Sequence, residues 1–271
     1  MKKETIAIIG AGNMGVSLLQ GLLADGTPPQ QIWLADPDAR RLTQLEQQFH
    51  VHVTDNNEVA IKSASVVILA VKPQIIANVA QQLSASIQLH RPLVLSVAAG
   101  VREDNLKQWL GEGVAIVRCM PNTPALIRCG AAALHANQSV SPKQRDLAET
   151  ILRAVGIVVW LADENQMDAV TALSGSGPAY FFLLLEILQQ VGEKLGLSAD
   201  TAKLLSLQTA LGAAKMALET SDSVGALRHK VTSPGGTTEA AIRVLEDGNI
   251  RELFTSALQA ATKRSTELSQ S

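Results

Sequence analysis

Short aliphatic runs alternate with amphipathic stretches from residue 5 to about residue 160, and then the runs stop. Runs at 5–9, 32–35, 66–71, 93–97 and 114–119 read as strands, with 131–134 and 157–160 as two further ones. Between them, Val16, Leu18, Leu19, Leu22 and Leu23, then Leu42, Leu45 and Phe49, then Ile75, Ile76, Val79 and Leu83 recur at helical spacing. Strands alternating with helices predict an α/β fold: a Rossmann-type, doubly wound parallel sheet with helices on both faces. After Asp163 the pattern becomes Ala/Leu-rich helices at about 164–173, 178–195, 199–220, 223–230, 237–247 and 250–269. The expected division is a nucleotide-binding domain over 1–162 and an all-α domain over 163–271.

The helix from Pro178 is apolar around nearly its whole circumference, since 180–185 reads Tyr-Phe-Phe-Leu-Leu-Leu. It is therefore expected to be buried on every side. A domain of this size struggles to enclose such a helix alone, and Gly192, Gly196 and Gly212 would permit close backbone approach. These features predict that a second subunit covers part of it. The longest apolar run, 178–185, is closed by Glu186, well short of the roughly 18–20 residues of a membrane span, so no membrane association is expected. Residues 1–6 run straight into a strand pattern without a signal-peptide core, which points to a cytoplasmic protein.

Bulk composition narrows the function classes. A content of 46% hydrophobic residues in 271 suits two filled cores, and one Tyr with four Phe makes those cores aliphatic. A net charge of −2, with no Lys/Arg cluster interleaved with aromatics, argues against nucleic-acid binding. Cys119 and Cys129, with nine residues between them, match neither a zinc spacing nor a disulfide framework, and no metal site is expected.

Two loops carry the chemistry. Gly10-Ala11-Gly12-Asn13-Met14-Gly15 follows a predicted strand and opens a predicted helix, the context a dinucleotide fingerprint requires. Asp36, about twenty residues on at the end of the next strand, stands where an acid accepts hydrogen bonds from the adenosine ribose, which favours NAD over NADP. Arg40 and Arg41 would either reach a 2′-phosphate or form a solvated helix face. The second loop, Val231-Thr232-Ser233-Pro234-Gly235-Gly236-Thr237-Thr238, turns tightly and starts another helix, so its N–H groups suit a carboxylate or phosphate, or else simply begin a capped helix. Lys72-Pro73 and Ala98-Ala99-Gly100 follow the predicted strands 66–71 and 93–97, at sheet edges where open α/β folds bind ligands. Met120-Pro121-Asn122-Thr123-Pro124 holds a polar pair between two prolines, as a crevice element or as a stiff turn in which Asn122 caps its own backbone. Ser174-Gly175-Ser176-Gly177-Pro178 leads into the apolar helix as a further exposed helix N-terminus.

Absent chemistry is equally informative. Tyr180 is the only tyrosine and Leu184 stands four residues on, which excludes a Tyr-x-x-x-Lys mechanism. His50, His52, His90, His135 and His229 lie outside every motif, and no serine has a His/acid relay in sequence. Such a site suits hydride transfer with little proton chemistry from the protein.

In order and spacing, segments 10–15, 71–74, 120–124, 174–180 and 231–238 closely resemble the pyrroline-5-carboxylate reductase family, and the resemblance covers nearly the whole chain. The most specific segments are Ser-Gly-Ser-Gly-Pro-Ala-Tyr at 174–180 and Thr-Ser-Pro-Gly-Gly-Thr-Thr at 232–238. The resemblance implies an NADPH-dependent reductase, using NADH in many members, that converts Δ1-pyrroline-5-carboxylate to L-proline in the last step of proline synthesis. It also implies C-terminal helical domains intertwined in a homodimer, often assembled further into a decamer. Carried onto this chain, the cofactor residues would be Ile9, Gly10, Ala11, Gly12, Asn13, Met14, Asp36, Asn57, Ala70, Val71, Lys72, Pro73, Val97, Ala98, Ala99 and Asn122. Substrate would meet Ser176, Ser233, Gly236, Thr237 and Thr238, with Thr238 as the catalytic hydroxyl at the ring nitrogen. The family often has Ser, Thr or Asn-Arg where this chain has Asp36-Pro37; an acid there repels a 2′-phosphate, so NADH is expected beside NADPH.

Overall fold

The computed structural model describes residues 4–270, and the chain divides into two compact units. One runs up to Ser176 and includes the residues from Ala261 onward; the other is Gly177–Ala260.

In chain order the first unit holds β1 (Ile6–Ile9), α1 (Asn13–Ala24), β2 (Ile32–Ala35), α2 (Ala39–Phe49), β3 (His52–Thr54), α3 (Asn57–Ile61), β4 (Val66–Leu69) and α4 (Pro73–His90). It continues with β5 (Leu93–Ser96), α5 (Glu103–Leu110), β6 (Ile116–Met120), β7 (Gly130–Ala136), α6 (Pro142–Arg153), β8 (Gly156–Trp160) and α7 (Gln166–Val170). The strands form one sheet in the order β3-β2-β1-β4-β5-β6-β7-β8. Ile6 pairs with Ile32 on one side and Val66 on the other, both in parallel.

β1, β4 and β5 are buried at every position, as parallel strands covered on both faces must be. Alternate side chains feed two cores. Ile6, Ile8, Val66, Ile68, Leu93 and Leu95 join Leu18, Leu19 and Leu22 of α1 and Ile151 and Leu152 of α6. Ala7, Ile9, Val67, Leu69 and Val94 join Ile76, Leu83 and Ile87 of α4 and Leu106 and Leu110 of α5.

The sheet departs from the expected one in two places. β3, which the hydrophobic pattern misses, adds an edge beside β2 through Trp33↔His52. β7 runs antiparallel to β6, with Val117 opposite Ala136, before β8 resumes parallel to β7. The turn between β6 and β7, a 3₁₀ segment at Thr123–Ile127, is too short for the crossover that a parallel pair needs.

The second unit contains α8 (Gly177–Lys194), α9 (Ala199–Glu219), α10 (Val224–Lys230), α11 (Thr237–Asp247) and the first part of α12 (Ile250–Gln270). α8 packs on α9, and a Cβ at Gly192 would lie 3.1 Å from that of Ala202, the close approach that glycine permits. Gly196 instead makes the turn between them with φ +99°, and Gly212 faces open space. Within one copy α8 is left uncovered at Phe181 and Phe182, each 66% exposed, where the sequence predicts a second subunit.

Helical structure is continuous from Gln166 to Lys194, and by length and composition that run is apolar enough to cross a membrane. The 178–185 stretch alone does not reveal this, because the helix extends twelve residues upstream of Pro178 through a π turn at Thr171–Gly175. Its opening turn is nonetheless polar, with Asp168 hydrogen-bonded to Ser265 and Thr266.

Candidate active site

The chain reverses direction across the sheet between β1 and β4, and the crevice outside the carboxyl ends of such strands is where open α/β folds take ligands. The 10–15 loop leaves β1 there. Gly10 has φ +105°, and a Cβ on it would sit 2.8 Å from the Ala70 carbonyl oxygen; at Gly15 a Cβ would come 2.1 Å from the Gly10 oxygen. Both must be glycine for the fold. Gly12 differs: a Cβ there meets nothing within 4 Å, and Gly12 is the N-cap of α1 with no side-chain cap. An uncapped helix start with open space beside it fits a pyrophosphate.

Asp36 follows β2 and braces this loop. One of its oxygens accepts the Ala11 N–H at 2.7 Å and the other accepts the Asp38 N–H at 3.0 Å. Arg40 and Arg41 lie in the first turn of α2, where their N–H groups donate to Asp38. Ala70, Val71, Lys72 and Pro73 follow β4; Lys72 is the N-cap of α4, which also has no side-chain cap. Val97, Ala98 and Ala99 follow β5, with the Val97 N–H on the Leu69 oxygen at 3.1 Å. Asn57 opens α3, which packs against β1, β2 and β3. Ile9 is a buried core residue, so its contribution to a ligand is through backbone.

Asn122 does not cap its own backbone. Its Oδ1 accepts the Ala131 N–H at 2.9 Å, while Nδ2 donates to the Ser174 carbonyl at 3.2 Å and hydroxyl at 3.3 Å. It ties the start of β7 to the 174–177 elbow. That elbow is not the free helix N-terminus expected: Ser176 donates its N–H to the Thr171 oxygen at 2.8 Å, so the donor is spent in the π turn. Gly175 lets the Met120 methyl approach, since a Cβ would lie 2.3 Å from it. Single π turns inside helices recur at functional sites.

In the second unit, the 231–238 loop joins α10 to α11. Gly235 has φ +71°, and its N–H donates to a Glu239 carboxylate oxygen at 2.7 Å. The Gly236 N–H donates to the Ser233 carbonyl at 3.0 Å. Those two donors are therefore internal, and an anion at this helix start would be held by the N–H groups of Thr237 and Thr238. Gly236 is the N-cap with no side-chain cap, and a Cβ there would press within 2.6 Å of the Ser233 hydroxyl.

The N-terminal residues 5–100 match the family described as NADP oxidoreductase, coenzyme F420-dependent. Residues 164–268 match the family described as pyrroline-5-carboxylate reductase dimerisation. A pyrroline-5-carboxylate reductase of Pseudomonas aeruginosa is 50% identical over 270 residues, 100% of this chain and 98% of that one. This chain belongs to the pyrroline-5-carboxylate reductase family. A solved pyrroline-5-carboxylate reductase from Coxiella burnetii superposes with TM-score 0.95 at 48% identity, covering 99% of both chains. A pyrroline carboxylate reductase from Plasmodium falciparum, solved with NADP bound, gives 0.89 at 28% identity, again over 99% of both.

Arg118 sits in an otherwise apolar strand, Ile-Val-Arg-Cys-Met, and a charge in that position calls for a partner. Its Nη1 meets Glu164 Oε1 at 2.6 Å, and the same oxygen accepts the Glu103 N–H at 2.6 Å. His135 Nε2 lies 3.6 Å from Glu103, and its Nδ1 is 3.2 Å from the Leu161 oxygen. The histidine thus belongs to a polar network beneath the α5 start.

Proposed function

We infer that the protein reduces Δ1-pyrroline-5-carboxylate to L-proline with a reduced nicotinamide cofactor. The full-length 50% identity to a pyrroline-5-carboxylate reductase carries this reading. The two uncapped, glycine-opened helix starts at Gly12 and Gly236 support it, since a dinucleotide and an amino-acid carboxylate each need one. The nucleotide-binding part is assigned to 1–162, and substrate and dimer contacts to 163–271.

When bound, the reduced nicotinamide supplies the hydride. Gly10, Ala11, Gly12, Asn13 and Met14 would surround the pyrophosphate; the Gly10 and Ala11 N–H groups are taken by the Ala35 carbonyl and Asp36, so the N–H groups of Gly12, Asn13 and Met14 would hold it. Ala70, Val71, Lys72, Pro73, Val97, Ala98 and Ala99 line the remaining groove, where small side chains leave room for a flat ring. Asn57 and Asp36 complete the adenosine side, and Asn122 acts through the elbow that it fastens. Thr237 and Thr238 would donate N–H groups to the substrate carboxylate, with Ser233 and Gly236 beside them; Ser176 is a further proposed substrate residue. The Thr238 hydroxyl hydrogen-bonds the ring nitrogen. Because that nitrogen takes its proton from solvent, the residues contribute mainly by positioning.

The protein is a homo-oligomer in this reading, a second copy covering the exposed Phe181 and Phe182; a dimer is the minimal unit and a decamer the larger one proposed. NADPH is the proposed cofactor, with NADH accepted because of Asp36. Both cysteines are free thiols, in keeping with a cytoplasmic location. The test is turnover of pyrroline-5-carboxylate with each cofactor; no proline formation would reject the activity. For the site, Thr238→Ala should lower kcat/KM at least about tenfold, 1.4 kcal/mol, at unchanged cofactor affinity, and a smaller loss would remove Thr238 from its role.

A further inference from the structure

We propose that the carboxyl-terminal end of α12 is a positioning element for the nicotinamide loop. Ser265 and Thr266 act through Asp168 and Arg102 to fix Val97, Ala98 and Ala99. This rests on the reading that those three residues line the nicotinamide end of the cofactor groove.

The loop between β5 and α5 has few anchors of its own. Ala98 and Ala99 offer no polar side chain, and the hydroxyl of Ser96, 2% exposed at the loop entry, has no hydrogen-bond partner among the described residues. The far end of the loop is held instead by chain that comes much later in sequence. Arg102, the N-cap of α5, donates from Nε to the Ser269 hydroxyl at 3.4 Å and from Nη1 to Asn165 Oδ1 at 3.2 Å, while Nη2 stands 3.6 Å from Asp168. Asp168 in turn accepts the Ser265 hydroxyl at 2.7 Å on one oxygen and the Thr266 hydroxyl at 3.0 Å on the other. Ser265 is only 4% exposed, so its hydroxyl has no solvent alternative.

Packing supports the same assignment. Gly100 has φ +74°, and a Cβ on it would come 3.3 Å from the Leu268 Cβ and 3.4 Å from the Leu268 carbonyl carbon. The last turns of α12 therefore lie directly against the loop. A carboxylate holding two hydroxyl donors, with a guanidinium 3.6 Å away, ties its own helix to α12, and that guanidinium belongs to the residue that ends the loop. A ring seated on Val97, Ala98 and Ala99 would feel displacement of this brace, whereas a pyrophosphate on the 10–15 loop would not.

The test compares two ligands of the full-length protein. Dissociation constants for NADH and for ADP-ribose, which lacks the nicotinamide, are measured by tryptophan fluorescence for wild type and for Ser265→Ala/Thr266→Val. Circular dichroism and the melting temperature report folding. The expected result is about tenfold weaker NADH binding, the size of one charge-assisted hydrogen bond, with ADP-ribose unchanged. Thr266→Ser alone, which keeps the hydroxyl, should bind NADH as wild type does. If the double variant fails to fold, Asp168→Asn, which keeps a hydroxyl acceptor and drops the charge facing Arg102, gives the same comparison. Equal weakening of both ligands, or none in a folded variant, overturns the proposal. Wild-type protein that binds ADP-ribose and turns over substrate, with variants binding NADH normally, rejects this inference alone; wild type that binds neither NADH nor NADPH rejects the cofactor reading and this with it.

Discussion

Asp36 performs two tasks that substitution can separate. Its Oδ2 accepts the Ala11 N–H at 2.7 Å, bracing the glycine loop, and in the proposed cofactor pose its charge would stand at the ribose end of the groove. A charge-assisted hydrogen bond of this kind is worth about 1.5–3 kcal/mol. A unit charge about 4 Å from a 2′-phosphate costs about 1 kcal/mol in bulk water and about 4 kcal/mol at an effective dielectric of 20. Asp36 is only half-buried, so the lower end applies and salt weakens it further. Asp36→Asn keeps an oxygen for the Ala11 N–H and removes the charge. It should raise the NADPH-to-NADH ratio of kcat/KM about tenfold, or 1.4 kcal/mol, and the gain should shrink at high ionic strength. Asp36→Ala removes the brace as well, and should add a roughly tenfold or greater loss of affinity for both cofactors. Initial rates with each cofactor, together with dissociation constants from tryptophan quenching, resolve the two effects. An unchanged ratio in both variants would show that the charge does not sense the 2′-substituent; full affinity in Asp36→Ala would refute the brace.

Gly12→Ala should fold with a wild-type melting temperature, because nothing stands within 4 Å, yet bind cofactor weakly; Gly10→Ala, at φ +105° and with its Cβ against the Ala70 carbonyl, should lose more than the roughly 1–2 kcal/mol of the backbone conformation alone. Normal cofactor affinity in Gly12→Ala would mean that pyrophosphate does not approach that face. Cys129 is exposed, whereas burial pushes the Cys119 thiol up despite the opposing charge of Arg118. A thiol reagent should therefore modify Cys129 alone in the native protein, and Cys119 only after unfolding, with rapid double labelling contradicting this. Hydrogen bonds from Trp160, then Arg153, hold the Glu149 carboxyl below its ordinary range. A lowered folded value stabilises above the unfolded glutamate range and is lost as pH falls through the folded value. The stability gap between wild type and Trp160→Phe, by urea unfolding, should accordingly narrow from about pH 7 to about pH 3; a constant gap would assign it to packing alone.

What the hydrophobic pattern discloses follows from what it records. Val66, Val67, Ile68 and Leu69 are buried on both faces and announce a central strand. His52, exposed on a three-residue edge strand, gives no such signal. Direction is not in the pattern either, and the antiparallel turn of β7 is legible only from the shortness of the chain between Met120 and Gly130. The π turn at Thr171–Gly175 breaks no periodicity long enough to notice, but it absorbs the Ser176 donor that the motif offers. For α8, the apolar circumference marks a helix that its own chain leaves exposed at Phe181 and Phe182, in line with the cover expected from a second subunit.

The candidate site shows the same division at finer scale. Both glycine-opened loops were legible as helix starts, because Gly at such positions has a steric reason that residue type alone carries. Which donors remain for a ligand was not, because it depends on side chains folding back. In the 231–238 loop, Glu239 captures the Gly235 N–H and Ser233 captures that of Gly236, leaving Thr237 and Thr238. The Glu239 contact is a reach-back of the capping-box kind, which holds the turn shut before any ligand arrives. It also sets a carboxylate beside the positive end of α11, where it offsets part of the attraction for an anion. A loop built this way trades electrostatic pull for a fixed pair of donors. That suits a substrate whose imine carbon must be aimed as well as held, and it makes Thr238, which offers both a helix-start N–H and a hydroxyl, the residue on which the proposed chemistry turns.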